Sequence, residues 1–290
     1  MESKERILVI LAGGASSRLK KSLSDINLDK NITDIAKSSH KTLIPLGDDQ
    51  RPLLYFILKN ALSAGVKEVF LITSPENSPF KSFMETKIFK DSFSEIKIKF
   101  AVQYKPVDRE KPLGTSDALM QAMDQHEVLK RNSFVIINGD NLYSVNSLNS
   151  LFELDEKQHA LISYDRDALN FPHERLTKFA LINVNENNKL INIIEKPPIE
   201  EVDNFRDKLN KIRVSMNIFK FFGPTIYPFI KNCPLHPERK EKEIPEAVRN
   251  YIKENPNSFD ALPFFEHIPD LTSAKDILTI IKSIPNSDEK

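Results

Sequence analysis

Two adjacent glycines, two hydroxyls and an arginine follow the apolar run Ile7 to Leu11, in the order Leu11-Ala12-Gly13-Gly14-Ala15-Ser16-Ser17-Arg18-Leu19. A strand that breaks into such a turn brings bare backbone N–H groups against an anion and sets a guanidinium beside it. The chain has only seven glycines in 290 residues, so a pair of them here is a poor match for mere flexibility. Read alone, Gly-Gly after a strand serves a plain turn as readily as a site. No Gly-Lys-Ser/Thr follows, which excludes a P-loop, and the spaced third glycine of the dinucleotide fingerprint is missing. Arg18 raises the site reading, because a permanently charged fork suits a polyphosphate.

Further candidates follow along the chain. Lys41, in Ser39-His40-Lys41-Thr42-Leu43-Ile44-Pro45, is either a solvated lysine or a second cation folding back onto the same anion. Gln103 ends a strand, at the carboxyl edge where open α/β sheets bind ligands, and an amide suits a nucleobase edge. In Lys111-Pro112-Leu113-Gly114-Thr115, Gly114 offers close backbone approach and Thr115 can cap the next helix. Gly139-Asp140-Asn141 closes a buried strand. An Asx-type turn explains it, and so does a carboxylate holding magnesium beside a triphosphate.

In Glu195-Lys196-Pro197 the charges are an ordinary exposed pair or a grip on sugar hydroxyls and a phosphate. Asn217, in Val214-Ser215-Met216-Asn217, is a sheet-edge residue or a sugar contact. Asp270 precedes the final helix, either as a helix-start residue or as a second carboxylate completing a metal site with Asp140.

These residues need a scaffold that gathers strand ends. Short apolar runs alternate with helical patterns, the signature of a mostly parallel sheet with helices on both faces. Strands are expected at Ile7–Leu11, Glu68–Thr73, Ile96–Gln103 and Phe134–Asn138. Helices are expected at Pro52–Ala64, which starts with proline and stops at Gly65, and at Thr115–Met123. After Asn141, Ala160–Tyr164, Phe179–Val184, Leu190–Ile194 and Val214–Phe221 read as strands, some antiparallel. Pro224–Lys231 and Ser273–Ser283 read as closing helices. Lys20–His40 and Lys105–Pro112 are polar and read as long loops, the first a lid that orders on triphosphate binding. Residues 285–290 read as a frayed tail. No linker divides the chain, so one domain is expected.

Composition narrows the function. Lys+Arg and Asp+Glu both number 41, so the formal net charge is zero. That argues against a general nucleic-acid or membrane-surface role. No apolar run is long enough to span a bilayer. The single cysteine, Cys233, excludes an internal disulfide and fits a packing residue in a reducing, cytoplasmic setting.

Taken in order, these segments resemble the sugar-phosphate nucleotidyltransferases, the NDP-sugar pyrophosphorylases such as glucose-1-phosphate thymidylyl- and uridylyltransferases. The resemblance runs from about Ile7 to Ile277. The family's Leu-Ala-Gly-Gly-x-Gly-Thr-Arg-Leu loop matches Leu11 to Leu19, with Ser16-Ser17 for Gly-Thr. Its lysine falls on Lys41, with His40 where proline is usual. Its glutamine, Gly-Thr, Gly-Asp-Asn and Glu-Lys-Pro motifs match Gln103, Gly114-Thr115, Gly139-Asp140-Asn141 and Glu195-Lys196-Pro197. The late metal aspartate falls near Asp270, with Thr272 where glycine is expected.

The resemblance implies a Rossmann-like, GT-A type fold with a nucleotide-binding half, 1–141, and a sugar-phosphate half, 142–284. It implies joining a nucleoside triphosphate, UTP or dTTP favoured, to a sugar 1-phosphate with release of pyrophosphate. The implied nucleotide contacts are Leu11, Ala12, Gly13, Gly14, Gln103, Gly114 and Thr115. Arg18, Lys41 and Asp140 are the implied catalytic residues. Asn141, Glu195, Lys196 and Asn217 are the implied sugar-phosphate contacts. Mg2+ on Asp140 and Asp270 is the implied cofactor, and a homo-oligomer is compatible with the sequence. The competing readings are transfer to a non-sugar phosphate, which Glu195-Lys196-Pro197 opposes, and a non-catalytic nucleotide-sugar-binding protein.

Overall fold

Arg6–Leu11 forms the first strand, β1, and its four central residues are buried, as an unbroken apolar run requires at the middle of a parallel sheet. The computed structural model describes residues 5–14, 16–25, 30–38, 40–47, 49–195 and 198–284; Lys196 and the expected tail 285–290 lie outside them. In chain order β1 is followed by α1 (Ser17–Ser22), α2 (Lys30–Ser38), β2 (Pro45–Leu46), β3 (Arg51–Pro52), α3 (Leu53–Ser63) and β4 (Val66–Thr73). Next come α4 (Ser78–Glu85), α5 (Lys87–Ser92), β5 (Lys97–Val102), α6 (Thr115–Gln125), α7 (Glu127–Arg131) and β6 (Ser133–Asn138). Then follow α8 (Val145–Phe152), β7 (His159–Asp165), α9 (His173–Leu176), β8 (Ala180–Val184) and β9 (Leu190–Ile194). The chain closes with β10 (Arg213–Phe222), α10 (Gly223–Lys231), α11 (Ile244–Glu254), β11 (Phe259–Phe264) and α12 (Ala274–Ser283).

Among the described residues the main sheet has nine strands along β11-β7-β10-β6-β1-β4-β5, with β8 joined to β10 and β9 to β8. β6, β1, β4 and β5 are parallel, as are β7 and β11. β10 runs antiparallel to β6 and β7, and β8 antiparallel to β10 and β9. The result is a mixed, mostly parallel sheet flanked by helices.

Strand alternation divides the core into two layers. Leu8, Ile10, Val135 and Ile137 pack with α3, α8 and α12; Ile7, Val9, Phe134 and Ile136 pack with α6, α10 and α11. Cys233 is buried in the second layer, and burial pushes its thiol up from its ordinary value.

The polar stretch Lys20–His40 is not a loop through its described part. It carries the end of α1, a 3-10 turn at Leu23–Asp25, and α2. Ile32 and Ala36 are buried at helical spacing and Leu23 is buried too. This narrow apolar stripe is enough to dock the segment, though charged residues dominate its composition. Lys105–Pro112 does run without helix or strand. The helices α4, α5, α7 and α8 were not expected. α8 has a local signal, since Ser144 Oγ caps it by accepting from Ser147 N at 3.0 Å.

β1, β4, β5 and β6 all end at one edge of the sheet. From β1 the chain builds β4 and β5 on one side, then returns to β6 on the other. The gap beyond the ends of β1 and β6 is therefore a topological switch point. Gly139 closes that gap: its N–H donates to Leu11 O at 2.9 Å, and a Cβ there would lie 2.8 Å from the same oxygen. Only glycine lets the two strand ends meet this closely.

Candidate functional site

A cavity of about 310 Å3 opens at this carboxyl edge. Leu11, Ala12, Gly13 and Gly14 form one wall, Gln103, Gly114 and Thr115 another, and Lys41 and Asp140 also line it. Nine residues chosen from the sequence thus meet in one cavity, although 129 positions separate the first strand end from the last of them.

The Lys41 ammonium is paired with the Asp140 carboxylate, and each side chain is 18% exposed. Lys41 opens a 3-10 turn, Lys41–Leu43, which starts with His40 in extended backbone. Ser16 ties this turn to the glycine loop: its Oγ accepts from Lys41 N at 3.1 Å. Ser16 itself has φ 55, the left-handed conformation that glycine adopts most easily. So the loop keeps its left-handed position without a glycine there, and the serine hydroxyl fastens Lys41.

Gln103 is 8% exposed and is held at both ends of its short segment. Its backbone N–H donates to Thr73 O at 2.8 Å, continuing the ladder past the end of β5. Its Nε2 donates to Gly114 O and to Asp117 Oδ2, both at 3.0 Å. Gly114 has φ 112, and a Cβ there would lie 2.5 Å from Lys242 O, so backbone crowding requires glycine. Thr115 does not cap α6. Its hydroxyl donates to Glu243 Oε2 at 2.9 Å and accepts from Ile244 N at 3.0 Å, so it caps the start of α11 instead. Burial, with Glu195 nearby, pushes the Glu243 carboxyl up despite the Thr115 bond.

Of the expected sugar-side residues, the described ones, Asn141, Glu195 and Asn217, do not line this cavity. Glu195 lines a neighbouring cavity of about 100 Å3 with His236, Arg239 and Glu243, and its carboxylate is paired with Arg239. Asn217 lies where β10 slips register against β7, so that Met216, Asn217 and Ile218 stand opposite Ile162 alone. Asn217 takes φ 58 at this bulge, a device that re-aims side chains. Tyr143 OH donates to Met216 O at 2.5 Å and so ties the bulge to the loop after β6. Asn141 is 3% exposed, and its buried Nδ2 has no hydrogen-bond partner among the described residues.

Asp270 comes beside Asp140 through the backbone. Leu271 N donates to Asp140 O at 2.8 Å, Leu142 N donates to Pro269 O at 2.9 Å, and Asn141 bridges Asp270. Arg175 holds the Asp270 carboxylate at 2.7 Å and Asp276 at 2.7 Å. Burial and the adjacent Asp140 push the Asp270 carboxyl up, against the pull of Arg175. Among the described residues no cluster of three or more His, Cys, Asp or Glu side chains could hold a metal ion. The two carboxylates nevertheless fit Mg2+, which needs only one or two of them and takes phosphate and water oxygens for the rest.

Arg18 is exposed on α1 and does not line the cavity. Two charged lining residues stand outside the candidates read from the sequence. Lys111 sits within the segment already singled out, so its charge was a usable signal. Glu241 borders both cavities, but it lies in a charged run that gives no local sign of facing a site.

Residues 7–264 match the model of a family described as nucleotidyl transferase. The chain is 25% identical over 252 residues to a glucose-1-phosphate adenylyltransferase of Mycoplasma mobile, covering 79% of this chain and 60% of that protein. It is 27% identical to a D-glycero-alpha-D-manno-heptose 1-phosphate guanylyltransferase of Campylobacter jejuni, covering 65% of this chain and 67% of the other. The match thus spans about half to three-fifths of the length of the adenylyltransferases it resembles. In fold it is similar to a UDP-glucose pyrophosphorylase solved with UDP-glucose, at TM-score 0.70 and 16% identity over 96% of this chain and 98% of that one.

Proposed function

The chain belongs to the nucleotidyl transferase family, and from that premise we propose that it is an enzyme joining a nucleoside triphosphate to a sugar 1-phosphate, giving an NDP-sugar and pyrophosphate. The observation that carries this reading is the meeting of Lys41 and Asp140, 99 positions apart, beside the glycine loop at the switch point of the sheet. A transferase of this kind needs little covalent help. The sugar phosphate oxygen that attacks is ionised at neutral pH, so no general base is required. The task is to bring two polyanions together and to stabilise charge on the α-phosphate and the departing pyrophosphate.

In this proposal the Leu11–Gly14 loop and Thr115 hold the nucleotide, and Gln103 and Gly114 meet the base. Lys41 leaves Asp140 to neutralise the β- and γ-phosphates. Arg18 joins it where the triphosphate tail passes Gly14 toward α1. Asp140 and Asp270 would hold Mg2+, which would supply positive charge to the transferring phosphate. Asn141 offers its unpartnered Nδ2 to a sugar-phosphate oxygen, a supporting observation because a buried orphan donor is costly unless a ligand accepts from it. Glu195, Lys196 and Asn217 take the sugar phosphate.

UTP or dTTP is the favoured donor. Both Gln103 amide hydrogens are already given to protein acceptors, so its free group toward a base is a carbonyl, which accepts from the ring N–H of uracil or thymine. A triphosphate substrate also fits the cytoplasmic setting expected from the lone cysteine. No described helix is long and apolar enough to cross a membrane.

The test is incubation of the full chain with a triphosphate, a sugar 1-phosphate and Mg2+, with chromatographic detection of the NDP-sugar. Nucleotide-sugar binding with no product from any pair would favour the non-catalytic reading.

A further inference from the structure

Asp117 is a buried carboxylate in the first turn of α6, 3% exposed, with no ion pair among the described residues. Such a group is expensive to bury unless hydrogen bonds satisfy it. Here two amides do so: Gln103 Nε2 at 3.0 Å and Gln121 Nε2 at 2.9 Å both donate to Asp117 Oδ2. Gln121 is itself fixed by the end of the edge strand. Its Nε2 donates to Tyr104 O at 3.0 Å and its Oε1 accepts from Tyr104 N at 2.9 Å. One turn on, Gln125 repeats the pattern with Val102, at 2.8 and 2.9 Å. The outward backbone groups on either side of Gln103 are therefore clamped by two glutamines of α6.

An amide side chain can meet a ligand with either end, and its two ends are nearly the same shape. A carboxylate removes that freedom, because it only accepts. Gly114 O, on the other side of Gln103, only accepts as well. Flipping the Gln103 amide would set its oxygen against two acceptors. We propose that Asp117, held by Gln121, is a specificity-determining positioning residue: it locks Gln103 with its carbonyl toward the base, and so commits the pocket to bases with a ring N–H over bases with a ring nitrogen lone pair. Uracil, thymine and guanine are in the first class, cytosine and adenine in the second. Asp117 acts through Gln103 and touches no substrate. The inference rests on the reading of Gln103 as the base contact.

The experiment measures dissociation constants of the full chain for UTP, GTP, CTP and ATP by calorimetry, in wild type, Asp117→Asn, Gln121→Ala and Gln103→Ala. Asparagine keeps the size of Asp117 but can donate, so it lets Gln103 turn over. Wild type should prefer UTP and GTP to CTP and ATP. Asp117→Asn should narrow that preference about tenfold, and Gln121→Ala should narrow it less. Gln103→Ala should abolish it. A purely structural role for Asp117 would weaken all four nucleotides alike, and an unchanged preference in Asp117→Asn, with the preference lost in Gln103→Ala, overturns the proposal and leaves the base contact standing. Should Asp117→Asn fail to fold, an unchanged preference in Gln121→Ala overturns it. A wild-type preference that survives in Gln103→Ala, or equal affinity of wild type for all four, removes the base-contact reading and the proposal with it.

Discussion

Lys41 and Asp140 neutralise each other at the mouth of the β1–β6 gap, with the lysine backbone held by Ser16. In the proposed reaction an arriving triphosphate competes with Asp140 for Lys41. Asp140→Asn releases the ammonium, so without magnesium this variant should bind the triphosphate about two- to tenfold more tightly than wild type while losing turnover. Calorimetric titration in EDTA measures the affinity; weaker binding than wild type would show that Lys41 does not face the phosphates.

Arg175 is the cation that balances Asp270 and Asp276. Arg175→Met leaves Asp270 buried beside Asp140 without it. Breaking one side of a largely buried pair should cost about 3 kcal/mol of stability. If Asp140 and Asp270 hold Mg2+ as proposed, the ion binds the folded form and should raise the melting temperature of this variant more than that of wild type. Thermal melts with and without Mg2+ check both parts.

Thr115 satisfies the half-buried Glu243 carboxylate and the first N–H of α11. Thr115→Val keeps the shape and removes both bonds, at an expected cost of about 1–3 kcal/mol. Urea unfolding reads this directly, and a midpoint equal to wild type would contradict the capping role.

His159 is buried, its Nε2 2.8 Å from Thr225 Oγ1, and its ring packs on Tyr251 and Phe259. Burial, with the Lys220 ammonium nearby, pushes it down to about 4 from 6.5. The unfolded chain takes up a proton below 6.5 that the folded chain refuses until about 4. The contribution of His159 to stability is therefore full above pH 6.5 and falls by roughly 3 kcal/mol as pH drops to about 4. His159→Gln should flatten that part of the curve, measured by denaturant unfolding at pH 4.5 and 7.5.

The strand ends are legible because β1, β4 and β6 each carry an unbroken apolar run of four or five residues, and the parallel order forces their carboxyl ends together. That is why Gly13, Gln103 and Asp140 meet although they are far apart in sequence. α2 was hidden because its buried stripe is narrow, Ile32 and Ala36 among charges. Thr115 was misread because its partners, Glu243 and Ile244, arrive from a segment 128 and 129 positions away. Glu241 and Asp117 depend on tertiary contacts of the same kind, which local pattern does not encode.

The most direct measurement is magnesium-dependent pyrophosphate release from a matrix of triphosphates and sugar 1-phosphates, run with wild type, Lys41→Ala and Asp140→Ala. Wild type should release pyrophosphate with UTP or dTTP and at least one sugar 1-phosphate. Both variants should remain folded by circular dichroism and lose roughly 10²–10³ in rate, the usual cost of removing one charge-stabilising group. No release from any pair by wild type, or wild-type release by either variant, would contradict the assignment of this site.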